Sequence, residues 1–284
     1  MTRQAKKHRS FSLILSGGGG RGLAHAGVLK ALEHYGYKPD ALVGVSIGAI
    51  AGATYALNPE WYDALVTMDT RSFPKSPKTY GKDLRARVRS AIASERALMD
   101  MFLGWGIGER SLEEGKQLLQ ELTLNKKFED GKIPFAVIAT DLCSGKRIVM
   151  KKGKAADAVY ASAALPGILP PLIRGKRMLV DGCYADNAPV DVARKFGPEV
   201  VIVVDVGQDT EASQIRNGFQ AMVRAVEICN RLHAHMRFNE ADMIIKPYFP
   251  IPIETLDFSQ KRLNVASGAR AVRKQIKDIE KLLL

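Results

Sequence analysis

Three cysteines are the whole thiol content of this 284-residue sequence, and they lie far apart, at Cys143, Cys183 and Cys229. An odd number without paired spacing gives neither a disulfide framework nor a recognisable zinc site. We therefore expect no metal site and a reducing compartment, such as the cytoplasm.

The sequence also lacks an apolar run long enough to cross a membrane. Its longest uncharged and mostly apolar stretch, Ala41 to Leu57, falls just short of the roughly 20 residues required and is broken by glycines, a serine and a threonine. The basic N-terminus is followed by only five mostly apolar residues, FSLIL, which are too few for the core of a signal peptide. We expect no membrane-spanning segment.

Acidic residues are outnumbered by basic ones, 30 to 42, which gives a net charge of +12 and a pI of about 9.6. Such a charge attracts nucleic acid, acidic lipid headgroups or phosphorylated substrates without choosing among them. The basic clusters KKHR, RARVR and KKGK lack interleaved aromatics, which disfavours specific nucleic-acid binding. The charge and an apolar patch at 99–105 favour peripheral contact with an anionic membrane surface, at its inner face.

Apolar segments suited to buried strands alternate with amphipathic helical segments along the chain. This alternation predicts a three-layer α/β/α fold with a mostly parallel central sheet. We expect a basic tail at 1–10 and a single domain at 11–284, with a helical insertion at about 59–131 that either covers a site or packs as helices on the sheet edge. Strands are predicted at 11–15, 41–43, 134–140, 147–150, 199–206 and 241–245, with a hairpin at 173–180.

The stretch from Asp40 to Leu57 contains a short apolar run, a G-x-S-x-G sequence and a run of small residues. It predicts a strand that turns sharply into a helix at Ser46, which exposes the hydroxyl at the strand's C-terminal end. Gly44 and Gly48 remove Cβ atoms that would clash in that bend. The N–H groups of the following helix point to the same place and suit an oxyanion. The string alone also arises by chance, so its strand–helix context carries the prediction.

A glycine-rich loop, SGGGGRG, follows the first predicted strand and opens a helix. Its G-x-G-x-x-G resembles a dinucleotide fingerprint, but Ser46 stands where that site needs an acidic residue. A P-loop needs Lys-Ser or Lys-Thr after the glycines, which this loop does not supply. Uncovered backbone N–H groups at a helix N-terminus still bind anions. If the two strands are neighbours, we expect an oxyanion hole formed by Gly17, Gly18, Gly19, Gly20, Arg21 and Gly22.

A serine nucleophile needs a proton acceptor, and the histidines are poor candidates because three precede the serine and two lie within one helix. They are His8, His25, His34, His233 and His235. Asp181 is a better candidate, since it closes a predicted strand and is followed by Gly182, which permits close approach. Burial beside an apolar pocket would raise its pKa and make it a stronger base. An isolated Asp-Gly is also an ordinary turn.

Four blocks of this sequence resemble the patatin-like phospholipase family, in its bacterial branch. They are SGGGGRGLAHAGVLKALE at 16–33, GVSIG at 44–48, ASAALPGILPP at 161–171 and DGCYADNAPV at 181–190. The resemblance covers nearly the whole chain and is weakest over about 59–130. It implies a patatin-like three-layer fold.

The resemblance also implies roles for the matched residues. The family's G-x-S-x-G serine is a nucleophile whose only partner is the aspartate of an Asp-Gly-Gly or Asp-Gly-Ala motif, and its glycine-rich loop is the oxyanion hole. By position, these roles fall on Ser46, Asp181 and the loop at 17–22. Cys183 stands where glycine or alanine is usual. We expect it to be a small buried side chain that could alter substrate or rate.

We therefore expect a serine acyl hydrolase of phospholipase A type, with a Ser-Asp dyad, that cleaves acyl esters of lipids through an acyl-serine intermediate. No metal or organic cofactor is expected. A soluble esterase or thioesterase on small acyl substrates is an alternative, as is a catalytically weak regulatory protein on the same fold. Nothing in the sequence specifies an oligomeric state.

Overall fold

The computed structural model describes residues 8–71, 73, 112–208 and 218–284. The strands are β1 (Phe11–Leu15), β2 (Ala41–Val45), β3 (Phe135–Asp141), β4 (Lys146–Met150), β5 (Leu172–Arg174), β6 (Arg177–Asp181), β7 (Val200–Val204) and β8 (Met243–Ile245). The helices are α1 (Ala24–His34), α2 (Ile47–Leu57), α3 (Trp61–Thr67), α4 (Leu112–Leu122), α5 (Ala155–Ala163), α6 (Val190–Arg194), α7 (Gly218–Phe238) and α8 (Lys261–Leu283).

The strands form one sheet in the order β5-β6-β3-β2-β1-β7-β8, with β4 also paired to β3. Strands β3, β2, β1, β7 and β8 run parallel, whereas β4, β5 and β6 are antiparallel to their neighbours. Helices return the chain between the parallel strands, which is the connection such pairs require. The sheet is therefore mostly parallel, as predicted.

Both faces of the sheet are covered, because successive side chains of a strand point to opposite sides. In β1, Leu13 and Leu15 pack into the apolar cluster formed with α1, α2, α5 and α8. Ile14 packs into the cluster on the other face, with side chains of α6 and Phe238 of α7. Two helical layers around one sheet confirm the three-layer α/β/α fold.

The predicted hairpin is confirmed. The hairpin around Gly175 joins β5 to β6, and α1 ends just before Gly36, whose φ of 89° suits glycine. The last helix, α8, buries Val272, Ile279 and Leu283.

The predicted insertion at 59–131 falls partly on described residues, where α3 and α4 form. Residues 74–111, including the apolar patch predicted at 99–105, lie outside the described residues. At the end of the predicted N-terminal tail, the Arg9 N–H donates to the Leu283 carbonyl, and Ser10 bonds to Glu199. These two residues are thus tied to the domain.

Strands β2 and β6 meet end to end along one edge of β3. Val137 and Ile138 of β3 pair with β2 on one side and β4 on the other, while Ala139 pairs with β4 and with Asp181 of β6. Since β4 occupies one edge throughout, β2 and β6 must share the other. Val45 is level with Ile138, so the next residue of the chain, Ser46, comes level with Ala139 and beside Asp181.

Candidate active site

Ser46 sits in a strained bend between β2 and α2. Its backbone has a φ of 53° and a ψ of −122°, which non-glycine residues rarely adopt. A Cβ atom on Gly48 would lie 2.0 Å from the Leu15 carbonyl oxygen, so glycine is required there for α2 to approach β1. The bend presents Ser46 at the N-terminus of α2, whose dipole favours negative charge.

Asp181 accepts a hydrogen bond directly from the Ser46 hydroxyl. The Ser46 Oγ donates to Asp181 Oδ2 at 2.6 Å, and both side chains are buried. The other carboxylate oxygen accepts the Cys183 N–H at 2.8 Å. Burial raises the pKa of Asp181, while the hydrogen bonds from Ser46 and Cys183 act in the opposite direction. A buried carboxylate with a raised pKa is a stronger base towards a hydroxyl than an exposed one.

The glycine loop lies beside Ser46 because β1 and β2 are parallel neighbours. Its N–H groups have different roles. The Gly17 N–H donates to Asn187 Oδ1 at 2.6 Å, and the Gly20 N–H donates to the Thr255 carbonyl at 2.8 Å. Within the described residues, no hydrogen bond uses the N–H of Gly18 or Gly19. Those two groups remain available to a bound anion.

Arg21 and Gly22 stabilise the loop through contacts of their own. The Arg21 guanidinium donates to the Val206 and Ile253 carbonyls, and burial lowers its pKa. The side chain of Arg21 thereby reinforces the loop. A Cβ atom on Gly22 would collide with Ile47, so this glycine lets the loop pack against α2.

His25 supports the start of the glycine loop and is not positioned to act as a catalytic base. It is buried, and its Nε2 lies 2.8 Å from the Ser16 carbonyl oxygen. Because a carbonyl only accepts, Nε2 must carry the hydrogen. Burial lowers the pKa of His25 to about 4, so the ring is neutral at physiological pH.

A family model described as patatin-like phospholipase matches residues 13–194, well over half of the chain. The matched range contains the glycine loop, Ser46 and Asp181. This chain belongs to the patatin-like phospholipase family.

Relatives within the family include three curated eukaryotic proteins. Human patatin-like phospholipase domain-containing protein 6 is 33% identical over 227 residues, covering 74% of this chain and 15% of its own length. Rat patatin-like phospholipase domain-containing protein 7 is 31% identical, covering 74% and 14%. Lysophospholipase NTE1 of Cryptococcus neoformans is 34% identical, covering 72% and 12%. The chain thus spans only about one seventh of the length of these relatives.

Among solved structures, VipD from Legionella pneumophila aligns with a TM-score of 0.48 at 15% identity, covering 97% of this chain and 68% of that one. The type III effector protein ExoU aligns with a TM-score of 0.42 at 15% identity, covering 95% and 53%.

Cys183, the departure from the usual patatin-like motif, lies against the glycine loop. A Cβ atom on Gly17 would be 2.1 Å from its Sγ, and the thiol approaches Asn187 Oδ1 at 3.4 Å. Burial and the neighbouring Asp181 raise the pKa of the thiol well above its ordinary value, which disfavours the thiolate. The side chain was expected to be buried and is only partly so.

Two residues at the site had no predicted role. Asn187 accepts from Gly17, as described, and Ser162 of α5 accepts the Ser46 N–H through its Oγ at 2.8 Å. Both lie inside blocks that resemble the family, at 161–171 and 181–190. Their chemistry gave no signal by itself, since an isolated serine or asparagine has many uses.

Proposed function

We propose that this protein is a lipid acyl hydrolase in which Ser46 and Asp181 form the catalytic dyad. The observation that carries the proposal is the 2.6 Å hydrogen bond from Ser46 Oγ to Asp181 Oδ2, made by a serine held in a strained strand–helix bend. Such a bend and a paired base are what nucleophilic acyl transfer requires. Membership of a family described as patatin-like phospholipase supports lipid as the substrate.

In the first half-reaction, Ser46 Oγ attacks the acyl carbonyl carbon and its proton passes to Asp181 Oδ2. The resulting oxyanion accepts hydrogen bonds from the free N–H groups of Gly18 and Gly19, which are fixed before the substrate arrives. The carbon–oxygen bond to the alcohol then breaks, and Asp181 returns the proton to the leaving alkoxide. An acyl ester on Ser46 remains.

In the second half-reaction, water replaces the alcohol. Asp181 accepts a proton from the water as it attacks the acyl carbonyl, and the same N–H groups bind the second oxyanion. Collapse releases the fatty acid, and Asp181 protonates Ser46 Oγ. One carboxylate thus serves both steps as base and then acid.

Phospholipase A-type or lysophospholipase specificity is the finer part of the proposal. The name of the fungal relative, a lysophospholipase, supports it. A cytoplasmic location with peripheral contact at an anionic membrane is proposed with it. In the described residues, no helix is both long and apolar enough to traverse a bilayer. Membership of the bacterial branch stays a prediction, because the relatives named above are eukaryotic.

A substrate panel tests the proposal. Diacyl phospholipid vesicles, lysophospholipid, short-chain nitrophenyl esters and acyl-CoA would be incubated with the wild type and with Ser46→Ala. We expect Ser46-dependent release of fatty acid, fastest from a phospholipid or lysophospholipid. Faster turnover of the nitrophenyl ester or acyl-CoA would favour the soluble esterase or thioesterase instead, and equal activity of Ser46→Ala would exclude the dyad.

A further inference from the structure

Helix α7 is covered by the rest of the described protein only near its C-terminus. Of its described side chains, Ala234 and Phe238 are buried, where they join the apolar cluster on one sheet face. The side chains at 225–229 are all exposed. Short isolated helices are marginal in water, and most helical stability comes from packing an apolar face. Among the described residues, nothing therefore supplies the exposed half of α7 with the packing that ordinarily stabilises a helix.

The side of α7 that faces water is apolar. At about 100° per residue, six exposed positions fall within an arc of about 100° that contains no charged residue. They are Ala221, Ala225, Ile228, Cys229, Leu232 and Met236. The largest of these side chains are highly accessible: Ile228 is 45% exposed, Leu232 61% and Met236 65%. Contiguous exposed apolar surface of this kind marks an interaction site.

The polar side of α7 faces the protein. Arg237 donates to Asp186 and Asp191, which lie in the segment that follows Asp181. The Arg231 guanidinium lies against Gly207, where it would collide with an added Cβ atom. Helix α7 thus packs on the protein through Ala234, Phe238 and its arginines, whereas the apolar arc defined above points to solvent.

These contacts place α7 at the catalytic edge of the sheet. Gly207 follows the carboxyl end of β7, and parallel β1 and β2 end at the same edge, next to the glycine loop and Ser46. From Arg231 back to its first residue, α7 continues for about 20 Å at 1.5 Å per residue. That length is enough to carry its exposed half past the edge.

A basic hairpin lies at the same edge. Strand β6 is antiparallel to β3, and Leu179 is level with Asp141 at the carboxyl end of β3. The turn between β5 and β6 therefore lies beyond that end. Arg174, Lys176 and Arg177 at this turn are exposed, next to an exposed Ile173.

We propose that the apolar face of α7 and the basic hairpin dock the protein on an anionic phospholipid bilayer, with the catalytic edge towards the lipid. The proposal rests on the lipid acyl hydrolase activity inferred above. Apolar side chains enter the boundary between headgroups and acyl chains, and nearby lysines and arginines attract anionic headgroups. The net charge of +12 favours an anionic surface over a second copy of the same chain.

Leu232→Glu is the informative variant, and Leu284→Glu is its matched control. Leu284 is 70% exposed and lies at the opposite edge, beside Leu283, whose carbonyl accepts the Arg9 N–H ahead of β1. Each protein would be sedimented with vesicles of phosphatidylcholine alone and with vesicles in which about one third of the lipid is anionic phosphatidylglycerol. We expect at least tenfold weaker binding to anionic vesicles for Leu232→Glu and wild-type binding for Leu284→Glu.

Leu232→Gln and the hairpin variant Lys176→Glu separate the two contributions. The uncharged Leu232→Gln should also weaken binding, because it removes apolar contact without adding repulsion. Lys176→Glu should weaken binding only to anionic vesicles and reduce its dependence on salt. Thermal unfolding checks that each variant is folded. Wild-type binding by both Leu232 variants would overturn the proposal, as would an absence of wild-type binding.

Activity measurements distinguish failure of docking from failure of the proposed function. Leu232→Glu should hydrolyse a soluble nitrophenyl ester at the wild-type rate but vesicle lipid at least tenfold more slowly. Ser46→Ala should bind vesicles normally without hydrolysis. Vesicle binding that depends on Leu232, in a wild type without esterase activity, would retain the docking surface and refute the enzyme. A concentration-dependent dimer abolished by Leu232→Glu would show that a second copy covers this face instead.

Discussion

Asp181 combines two properties that allow a carboxylate to act without histidine. It is buried, which raises its pKa, and its two oxygens are used by different partners: the Cys183 N–H fixes one while the other accepts from Ser46. The fixed oxygen orients the carboxylate, and the free one is the proton acceptor. An exposed aspartate would be a weaker base and would lose orientation to water.

The raised pKa predicts a pH dependence of hydrolysis. Asp181 must be ionised to accept the Ser46 proton, so activity should fall as pH decreases through its pKa. The midpoint of this acidic limb should lie above 3.8, the ordinary value for aspartate, in the kcat/KM profile of a soluble ester. A midpoint at or below 3.8 would show that burial does not control this base. His25, with a pKa of about 4, is checked by repeating the profile with His25→Gln.

At the scale of single residues, the sequence predicted the two reacting groups but not the residues that hold them in place. Ser46 and Asp181 were predicted to converge because each ends a strand and is flanked by glycine. Asn187 and Ser162 were not predicted, since each acts through one hydrogen bond to a backbone N–H from a distant part of the chain. The loop from Gly17 to Gly22 was predicted as a single oxyanion hole, whereas the fold already uses the N–H groups of Gly17 and Gly20.

Helix α2 makes one close contact with β1, and alanine variants of two glycines on the helix test how much depends on it. An added Cβ at Gly48 would meet backbone of Leu15 at 2.0 Å, whereas one at Gly52 would have its nearest neighbour, Leu15 Cδ1, at 3.5 Å. Gly48→Ala should lower the free energy of unfolding by about 1–3 kcal/mol and slow hydrolysis, since overpacking displaces Ser46. Gly52→Ala should be neutral or stabilising by about 0.5–1 kcal/mol through helix propensity.

Urea denaturation and ester hydrolysis measure the two effects. Similar unfolding free energies for the two variants would indicate that the close approach of α2 to β1 does not require glycine at position 48.

The glycine loop is positioned by Asn187, which predicts a selective kinetic defect. Asn187→Ala leaves the Gly17 N–H without its acceptor, so the loop that carries Gly18 and Gly19 should shift. We expect kcat to fall by about 10–100-fold with little change in KM, because oxyanion donors act mainly in the transition state. Asn187→Asp keeps the acceptor but adds charge near Asp181, which should move the acidic limb of the pH profile upward.

Steady-state kinetics across pH separate these outcomes from simple loss of structure. A rise in KM alone for Asn187→Ala, or an unshifted limb for Asn187→Asp, would refute this positioning role.

Strands and helices were largely predictable, but their register was not. The buried runs that became β1, β2 and β7 have unambiguous apolar patterns, and the turn residues around Gly175 marked the hairpin. The end-to-end meeting of β2 and β6 on β3 depends on hydrogen-bond pairing between segments about 135 residues apart, as at Ser46 and Asp181. The apolar pattern of each segment predicts a strand and its buried faces, but it does not specify which distant strand it pairs with.

Stability of the whole molecule should depend on the neutral state of His25. Its pKa is lowered from 6.5 to about 4 by burial, so its stabilising contribution is present above pH 6.5 and is lost as pH falls towards 4. Between pH 7 and pH 5 the free energy of unfolding should decrease by about 2 kcal/mol from this group. Urea denaturation at both pH values should show this decrease in the wild type and not in His25→Gln. Equal decreases in both proteins would assign it to other groups.

At the scale of the molecule, the catalytic groups, the exposed face of α7 and the basic hairpin share one edge of the sheet. Ser46 follows the carboxyl end of parallel β2, Asp181 ends antiparallel β6 beside it, and β6 also brings the hairpin to the same edge. The net charge indicated an anionic partner, whereas the docking face of α7 could not be predicted. Its amphipathic pattern favoured a helix packed on the sheet, and only the contacts of Arg231 and Arg237 show which apolar residues are left facing solvent.

The most direct test of the dyad is the rate at which a fluorophosphonate labels Ser46 in the wild type, Ser46→Ala and Asp181→Asn, followed by intact-protein mass. Wild type should acquire one adduct at Ser46, Ser46→Ala none, and Asp181→Asn should react about 10²–10⁴-fold more slowly, because the amide cannot accept the serine proton. Labelling of Asp181→Asn at the wild-type rate would contradict the account, since Ser46 would then be activated by some other group.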